Sequence, residues 1–586
     1  MRNKKLWKRL TALAMAGTML LAISGCGSKD AEPTGEVSKQ QEQSESTKTQ
    51  TDEKEENKEE VEVTIWAQTW NPVQGIGPQY NPIADKIAEE TGVRMSVFQA
   101  DVSGEAEQLA TMRAANDLPD IFYVPDAATM EELIEAGQIL ELSQYWDAEK
   151  LPNLASENGV SYGVQNFVTD NKFDGKRYSV VLWSGTGAED QPTTGFYVPW
   201  EVYKAAGYPE VNSLDDLVDA LAKMNEVYSE NADGQKVFGT GAWFADDGGW
   251  GSWCVDGISG ALGDRLNGYL MACDTVTNEI SEKCPILDPD SSYWQGVKFW
   301  YNMNQRGLVD PDSITQKTDQ WQEKAYSGRY ILVMPSWETA NMRNGTNMSW
   351  IALKPFTKAV ILDWSAETTG SMYAISSTCK NPEAALKLLD YLCSPEGCRV
   401  AYSGIEGSAW EMVDGKAQYT ELYKADAATL TEVEKAKKYG ETPGHFVGFA
   451  LNVISPVDNS TYDLTYTPEY RAANFTEAEQ DAFEHYGVNS LREIYTKDTL
   501  NSVTRMSEYT NNMPALPDEL QKNETDLSNF VIRNYLSCVF AKNDAEFEAQ
   551  KQAIIDGAAE YNAEALFQWY KDEYAKAKEK VDPYLP

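Results

Sequence analysis

The sequence predicts an α/β fold built on a parallel sheet. Two observations carry this. Between Val61 and Gly137, strand-like and helix-like segments alternate three times, the order that pairs strands in parallel through crossover helices. The chain has 586 residues, 42% hydrophobic and 24% charged, which is globular composition with room for two or more cores.

The elements follow in order. Arg2, Lys4, Lys5, Lys8 and Arg9 precede an apolar run from Leu10 to Ile23 that ends at Ser24-Gly25-Cys26. Charged head, short apolar middle and small residues at a cut point make residues 1–25 a secretory signal. Ser24-Gly25-Cys26 after an aliphatic residue resembles the lipobox of bacterial lipoproteins. The resemblance implies that Cys26 is lipidated (diacylglyceryl and palmitate chains) and becomes the first residue of the mature protein. Residues 26–60 are polar and charged with almost no large apolar side chain, so a disordered tether is expected behind the anchor.

Val61 to Trp66 alternates and is β-branched, a strand. A helix over Pro82 to Thr91 stops at Gly92, and Val93 to Gln99 is a second strand. Helix Glu105 to Ala115, strand Asp120 to Val124 and helix Met130 to Ala136 complete the alternation. Ligands in such sheets sit at the carboxyl ends of strands, so the loops after Trp66 and Val124 are candidate ligand walls. Strands follow at 178–183 and 196–198, then a helix through Tyr203 and another from Leu214 to Tyr228 capped by Ser213. The stretch GTGAWFADDGGWGSW, 239–253, reads as a loop. Helices at 294–305 and 321–326, strands at 328–334 and 372–375, and a helix at 382–393 come next; the tail 546–580 is strongly helical and alternates acidic and basic residues.

Composition excludes several functions. A net charge of −41 repels nucleic acid and anionic lipid surfaces. Two histidines argue against a His-rich metal centre. Apart from Cys26 the cysteines are Cys254, Cys273, Cys284, Cys379, Cys393, Cys398 and Cys538, an odd set that argues against a disulfide framework. Asn231-Ala232-Asp233-Gly234 imitates the middle of an EF-hand loop, but Ser229 and Thr240 hold its first and last positions, so no calcium site is expected there. No hydrolase, zincin or P-loop signature occurs, and no cofactor is expected.

Four stretches carry a family resemblance: FDGKRYSVVL (173–182), GFYVPWEVYKAAGYPEVNSLDDLVDALAKM (195–224), AYSGRYILVMPSWETANM (325–342) and YAISSTCKNPEAALKLLDYLCSPEG (373–397). In that order, behind a lipobox, they resemble the extracellular solute-binding proteins of ABC transporters, the family that includes maltose- and oligosaccharide-binding proteins. The resemblance spans roughly Val61 to Gly397 and fades beyond. It implies a two-lobed periplasmic-binding-protein-like (type II) fold, with a hinge and a ligand cleft between lobes. Lobe one would be 61–182 plus 371–445, and lobe two 183–370 plus 446–586. It further implies a monomeric, membrane-anchored binder on the extracytoplasmic face that delivers solute to ABC permease subunits, with no bond chemistry.

Seventeen Trp and thirty-one Tyr suit a sugar, whose C–H faces pack on aromatic rings while its hydroxyls meet carboxylates and amides. Candidate ligand residues are Trp70 and Asn71 after the first strand, and Tyr123 and Asp126 at the third. Trp183 follows in the first crossing segment, then Trp243, Asp246, Asp247 and Trp250 in the Gly-rich stretch that ends at Trp253. Trp337, with Glu338 beside it, falls on the family's binding-tryptophan position. Trp66, Trp294, Trp300 and Trp321 read as core. Two rivals remain open from sequence: a glycoside hydrolase using paired carboxylates, and the same fold holding a peptide or other non-sugar solute.

Overall fold

Strand β1 (Val61–Gln68) pairs in parallel with the strand Val93–Ala100 along its whole length, from Val61 opposite Val93 to Gln68 opposite Ala100. The computed structural model describes residues 60–68, 76–100, 105–125, 127–166, 175–182, 185, 187–188, 192, 194–246, 250–267, 269–356, 359–360, 363–364, 372–440, 453–496, 501–502, 509–510 and 512–584. Six strands make the first sheet: β1, β2 (Gly77–Pro78), β3 (Val93–Ala100), β4 (Ile121–Val124), β5 (Val180–Val181) and, from far along the chain, Met372–Ile375. β3, β1 and β4 are mutually parallel, as the alternation predicts. The edges differ: Met372–Ile375 runs antiparallel to β4, β5 runs antiparallel to Met372–Ile375, and β2 is antiparallel to β3, so the sheet is mixed.

Three helices alternate with these strands: α1 (Pro82–Thr91), α2 (Glu105–Ala115) and α3 (Ala127–Glu135). The local chemistry of α1 explains its bounds. The Asn81 side chain accepts from the Ala84 N–H at 3.1 Å, Pro82 opens the first turn, and Gly92 closes it in the left-handed region at φ 74. Trp66 is buried in this lobe as expected, beside Phe122 and Val124.

The second sheet has three antiparallel strands, β6 (Thr194–Pro199) in the middle, flanked by β7 (Val333–Pro335) and β8 (Trp350–Ala352). Met372–Ile375, β9, then returns the chain to the first sheet. Around the second sheet pack α4 (Trp200–Ala205), α5 (Leu214–Val227), α6 (Trp253–Ala261), α7 (Ser292–Gln305) and α8 (Thr318–Tyr326). Trp200, Trp294, Trp300 and Trp321 fill this core, which confirms the packing role expected of the last three. The strand expected at 328–334 shortens to 333–335, because Tyr330 makes only an isolated bridge to Phe238.

Beyond the second sheet, α9 (Pro382–Leu392) and α10 (Pro395–Ser403) pack on the first. Then come α11 (Glu477–Tyr486), α12 (Asp518–Val539), α13 (Asp544–Glu560) and α14 (Ala563–Val581). The helical tail expected at 546–580 forms as two helices, parted at Asn562, whose left-handed backbone (φ 61) ends one helix and starts the next. The described residues after 452 pack in more than one core. Val453 and Tyr462 pack with Cys398 of α10, on the first-sheet side. α14 spans both cores: Leu566 and Phe567 enter the second, Tyr574, Ala577 and Val581 the first.

α11 docks on α4 through one carboxylate. Asp481 accepts from Trp200 Nε1 at 2.8 Å and Tyr208 Oη at 2.5 Å, and pairs with Lys204. The Lys204 ammonium, then Tyr208 and Trp200, hold its carboxyl well below the usual range, at about 2. The folded value lies below the unfolded one, so this contribution is present above about pH 4 and lost as pH falls through about 2. Asp481→Asn should cost about 1 kcal/mol in urea denaturation at pH 7, a difference that shrinks below pH ~3.

Candidate functional site

Every described cysteine is a free thiol, and no group of acids, His and Cys among the described residues could hold a metal. What the second lobe offers instead is a wall of indoles. β7 ends at Pro335 and runs into a tight turn, Ser336–Glu338. Thr339 Oγ1 donates to the Ser336 carbonyl at 2.7 Å and fixes that turn. The turn sends two adjacent side chains opposite ways. Trp337 is 47% exposed, while Glu338 is buried. The Glu338 carboxylate accepts from Gln322 Nε2 at 3.0 Å and Tyr326 Oη at 2.5 Å, both on α8. Burial, with this carboxylate adding to it, pushes the Tyr326 phenol up. Glu338 therefore anchors the turn and leaves Trp337 as its outward face.

The Gly-rich stretch 241–253 builds the rest. Its fold depends on close backbone approach: a Cβ on Gly251 would meet the Phe244 carbonyl oxygen at 2.8 Å. Trp243 Nε1 donates to the Trp250 carbonyl at 3.0 Å, and Trp250 Nε1 donates to Thr318 Oγ1 at 2.7 Å. Asp246 accepts from the Thr318 N–H at 2.9 Å and from its hydroxyl, tying the stretch to the start of α8. Trp243 and Trp250 stack at 5.6 Å and 29°, Trp243 and Trp253 at 5.8 Å and 15°. Trp253 meets Trp250 at 5.5 Å and Trp337 at 5.5 Å. Beneath them Trp321 meets Trp243 edge-on at 4.7 Å and donates its Nε1 to the Gly241 carbonyl at 2.9 Å.

The wall runs from the core outward. Trp321 and Trp243 are buried, Trp253 is partly buried, and Trp250 and Trp337 are exposed. The indole N–H groups of Trp243, Trp250 and Trp321 are already bonded within the protein. What remains for a partner is apolar ring face, which suits the C–H face of a sugar or another flat apolar surface.

The structure thus brings together five of the expected residues: Trp243, Asp246, Trp250, Trp337 and Glu338. It corrects the position of two. Trp243 and Glu338 lie under the surface, Trp243 because its ring is stacked over, Glu338 because its carboxylate is spent on Gln322 and Tyr326. Tyr123 stands apart on β4, opposite Tyr373 and in edge contact with it at 6.1 Å. Cys26, Trp70, Asn71, Asp126, Trp183 and Asp247 lie outside the described residues. The sequence sets Trp253 in the aromatic and acidic pairing of 243–253, though outside the candidate ligand residues, and sequence reasoning missed Asp256. Trp253 is the first residue of α6 and touches three members of the wall. Asp256 lies one helical turn on, and an acid three residues after a Trp, set among Val255, Gly257 and Ile258, was the available signal.

The EF-hand-like loop closes on itself. Asn231 Oδ1 accepts from the N–H groups of Asp233 (3.1 Å) and Gln235 (2.8 Å). Its Nδ2 donates to Gln235 Oε1 at 3.0 Å and the Ser327 carbonyl at 2.8 Å. Amide donors at the loop's centre do not fit a cation, and Thr240 at its end is bonded to the Leu332 carbonyl. Melting temperature should be unchanged, within error, between millimolar calcium and excess chelator.

The fold has many likenesses among solved structures. The S. pneumoniae ABC-transporter substrate binding protein FusA, in complex with kestose, aligns with TM-score 0.56 at 14% identity, over 88% of this chain and 99% of that one. An extracellular solute-binding protein from Bifidobacterium longum subsp. infantis aligns with TM-score 0.56 at 14% identity, over 88% and 98%. The alginate-binding protein AlgQ2 gives 0.54 at 14%, over 88% and 98%. Among curated proteins no relative matches. No helix among the described residues is long and apolar enough to cross a membrane. With the two sheets and the indole wall in place, the match of residues 72–397 to the bacterial extracellular solute-binding proteins completes the assignment: the chain belongs to that family, which binds solutes and is not a family of enzymes.

Proposed function

We propose that this protein captures an oligosaccharide between two lobes and passes it to an ABC importer. The observation that carries the reading is the indole wall, where Trp250 and Trp337 offer exposed ring faces while their neighbours' polar atoms are satisfied. The ligands of fold neighbours support it: kestose for one and alginate for another. Trp250, Trp253 and Trp337 stack on the sugar, Trp243 and Glu338 hold them in place, and Asp246 orients α8 behind them. Tyr123 of β4 meets the sugar from the other lobe. In this reading lobe one is about 61–182 plus 371–445 and lobe two about 183–370 plus 446–586. Ligand contacts present only when the lobes close would favour the closed form.

The N-terminal segment completes the proposal. Lipidation at Cys26 and the tether at 26–60 hold the binder beside its permease and raise its local concentration there. Cys26→Ser should leave ligand affinity in solution unchanged and reduce uptake by cells at limiting solute. Undiminished uptake with the protein released into the medium would contradict the anchor. Incubation with labelled oligosaccharides tests binding against catalysis: the sugars should be retained on the protein and recovered intact, and cleavage products would contradict the reading.

A further inference from the structure

Helix α6 carries two unlike faces. Cys254, Val255 and Ile258 are fully buried, and Ser259 Oγ donates to the Ser292 carbonyl at 2.9 Å. Trp253, Asp256, Gly257 and Gly260 share the other side, at helical spacing. A Cβ on Gly257 would meet the Trp253 ring at 3.2 Å and Met334 Sδ at 3.5 Å, so the bare glycine lets that ring lie over the next turn of the helix, the turn that carries Asp256. Asp256 is only partly reached by solvent. No described residue gives it a hydrogen bond or an ion pair.

Its neighbours sharpen this. Asp246 is bonded to Thr318, Glu338 to Gln322 and Tyr326, and Asp310 to Lys324 and Tyr330. Asp256 has no such satisfaction. The titratable groups that face it are Tyr293 of α7, Tyr535 of α12, Tyr269 in the hairpin after α6, and Cys254 on its own helix. All four are neutral: burial first, and Asp256 as a lesser cause, push each of them upward, and Glu524 adds a second negative charge near Tyr269. No described lysine or arginine offsets them. Burial alone pushes the Asp256 carboxyl up to about 7. A half-buried carboxyl with no partner destabilises the fold, and such groups concentrate where a ligand supplies the missing partner.

We infer that Asp256 selects the charge class of the ligand. The saccharide must present a hydrogen-bond donor to this carboxyl, a hydroxyl or an ammonium group, and a sugar acid whose carboxylate would face it is rejected. The inference rests on the sugar reading above. Like charges brought together in a partly desolvated site disfavour binding, whereas a donor recovers what Asp256 lacks.

Isothermal titration with matched neutral, amino-sugar and uronic-acid oligosaccharides, on the wild type and on Asp256→Asn, tests it. The wild type should bind the neutral or the amino series at least 10-fold more tightly than the uronic one. Asp256→Asn should weaken the favoured series about 10-fold and narrow the gap to the uronic one. A second readout needs no ligand. The folded carboxyl value lies above the unfolded one, so its destabilising effect is absent below about pH 4 and complete above about pH 7. Asp256→Asn should therefore melt about 2 °C higher than wild type at pH 8 and no higher at pH 4. Tight uronate binding by the wild type, or a ranking unmoved by Asp256→Asn, overturns the inference while the sugar reading stands. No binding in any series overturns the sugar reading and this inference with it.

Discussion

Arg399→Met should destabilise the protein by about 3–5 kcal/mol. Arg399 is buried on α10 and gathers a segment remote in sequence. Its Nη2 donates to both carboxylate oxygens of Asp458, at 3.0 and 3.1 Å, and to Ser460 Oγ at 2.8 Å, while Nη1 donates to the carbonyls of Thr461 and Tyr462. Asp458 also accepts from the Ala417 N–H at 2.9 Å, so one ion pair joins α10, the strand Lys416–Tyr419 and the loop at 458–462. A methionine fills much of the volume but leaves Asp458 ionised, buried and without its partner. Urea denaturation of Arg399→Met, Asp458→Asn and the double variant measures the coupling. The double variant should be markedly less damaged than the sum of the singles, and additive losses would show that the pair acts only through packing.

Trp337→Ala should cost about 2 kcal/mol of ligand affinity, roughly 30-fold in Kd, with less than ~1 kcal/mol of stability. The indole is 47% exposed and rests on Trp253 alone among the described aromatic contacts, so its removal opens no buried cavity. Trp243→Ala is the contrast. That ring is buried between Trp250, Trp253 and Trp321, and its loss should reduce stability and affinity together. Calorimetric titration with thermal melts of both variants checks the split. A large stability loss for Trp337→Ala at unchanged affinity would return Trp337 to the core.

The first sheet was legible because its signals are local. β-branched alternation from Val61, the Asn81 cap and the Gly92 stop each act within a few residues, and the structure reproduces α1 and α2 at the expected bounds. The chain after Gly397 was not, because its placement rests on contacts such as Arg399 with Asp458 and on α14 entering two cores, which no local pattern encodes. In the site, the Gly-rich setting of Trp250 and the turn after β7 pointed to exposed indoles. Asp256 was lost because two glycines and two β-branched residues weaken the helical signal of α6, and tertiary packing overrides that weak propensity. Which neighbour of an exposed Trp faces inward was also hidden: Glu338 is buried by the α8 side chains Gln322 and Tyr326, sixteen and twelve residues upstream in the chain.

The central claim is that the indole wall binds sugar. A thermal-shift panel on the mature protein, spanning oligosaccharides, peptides and other small solutes, tests it most directly, since a bound ligand raises the melting temperature by mass action. At 100 times its Kd the right saccharide should stabilise the fold by about 2.7 kcal/mol, and the shift should shrink in Trp337→Ala. A panel in which a peptide or other solute stabilises the protein and no saccharide does would contradict the account.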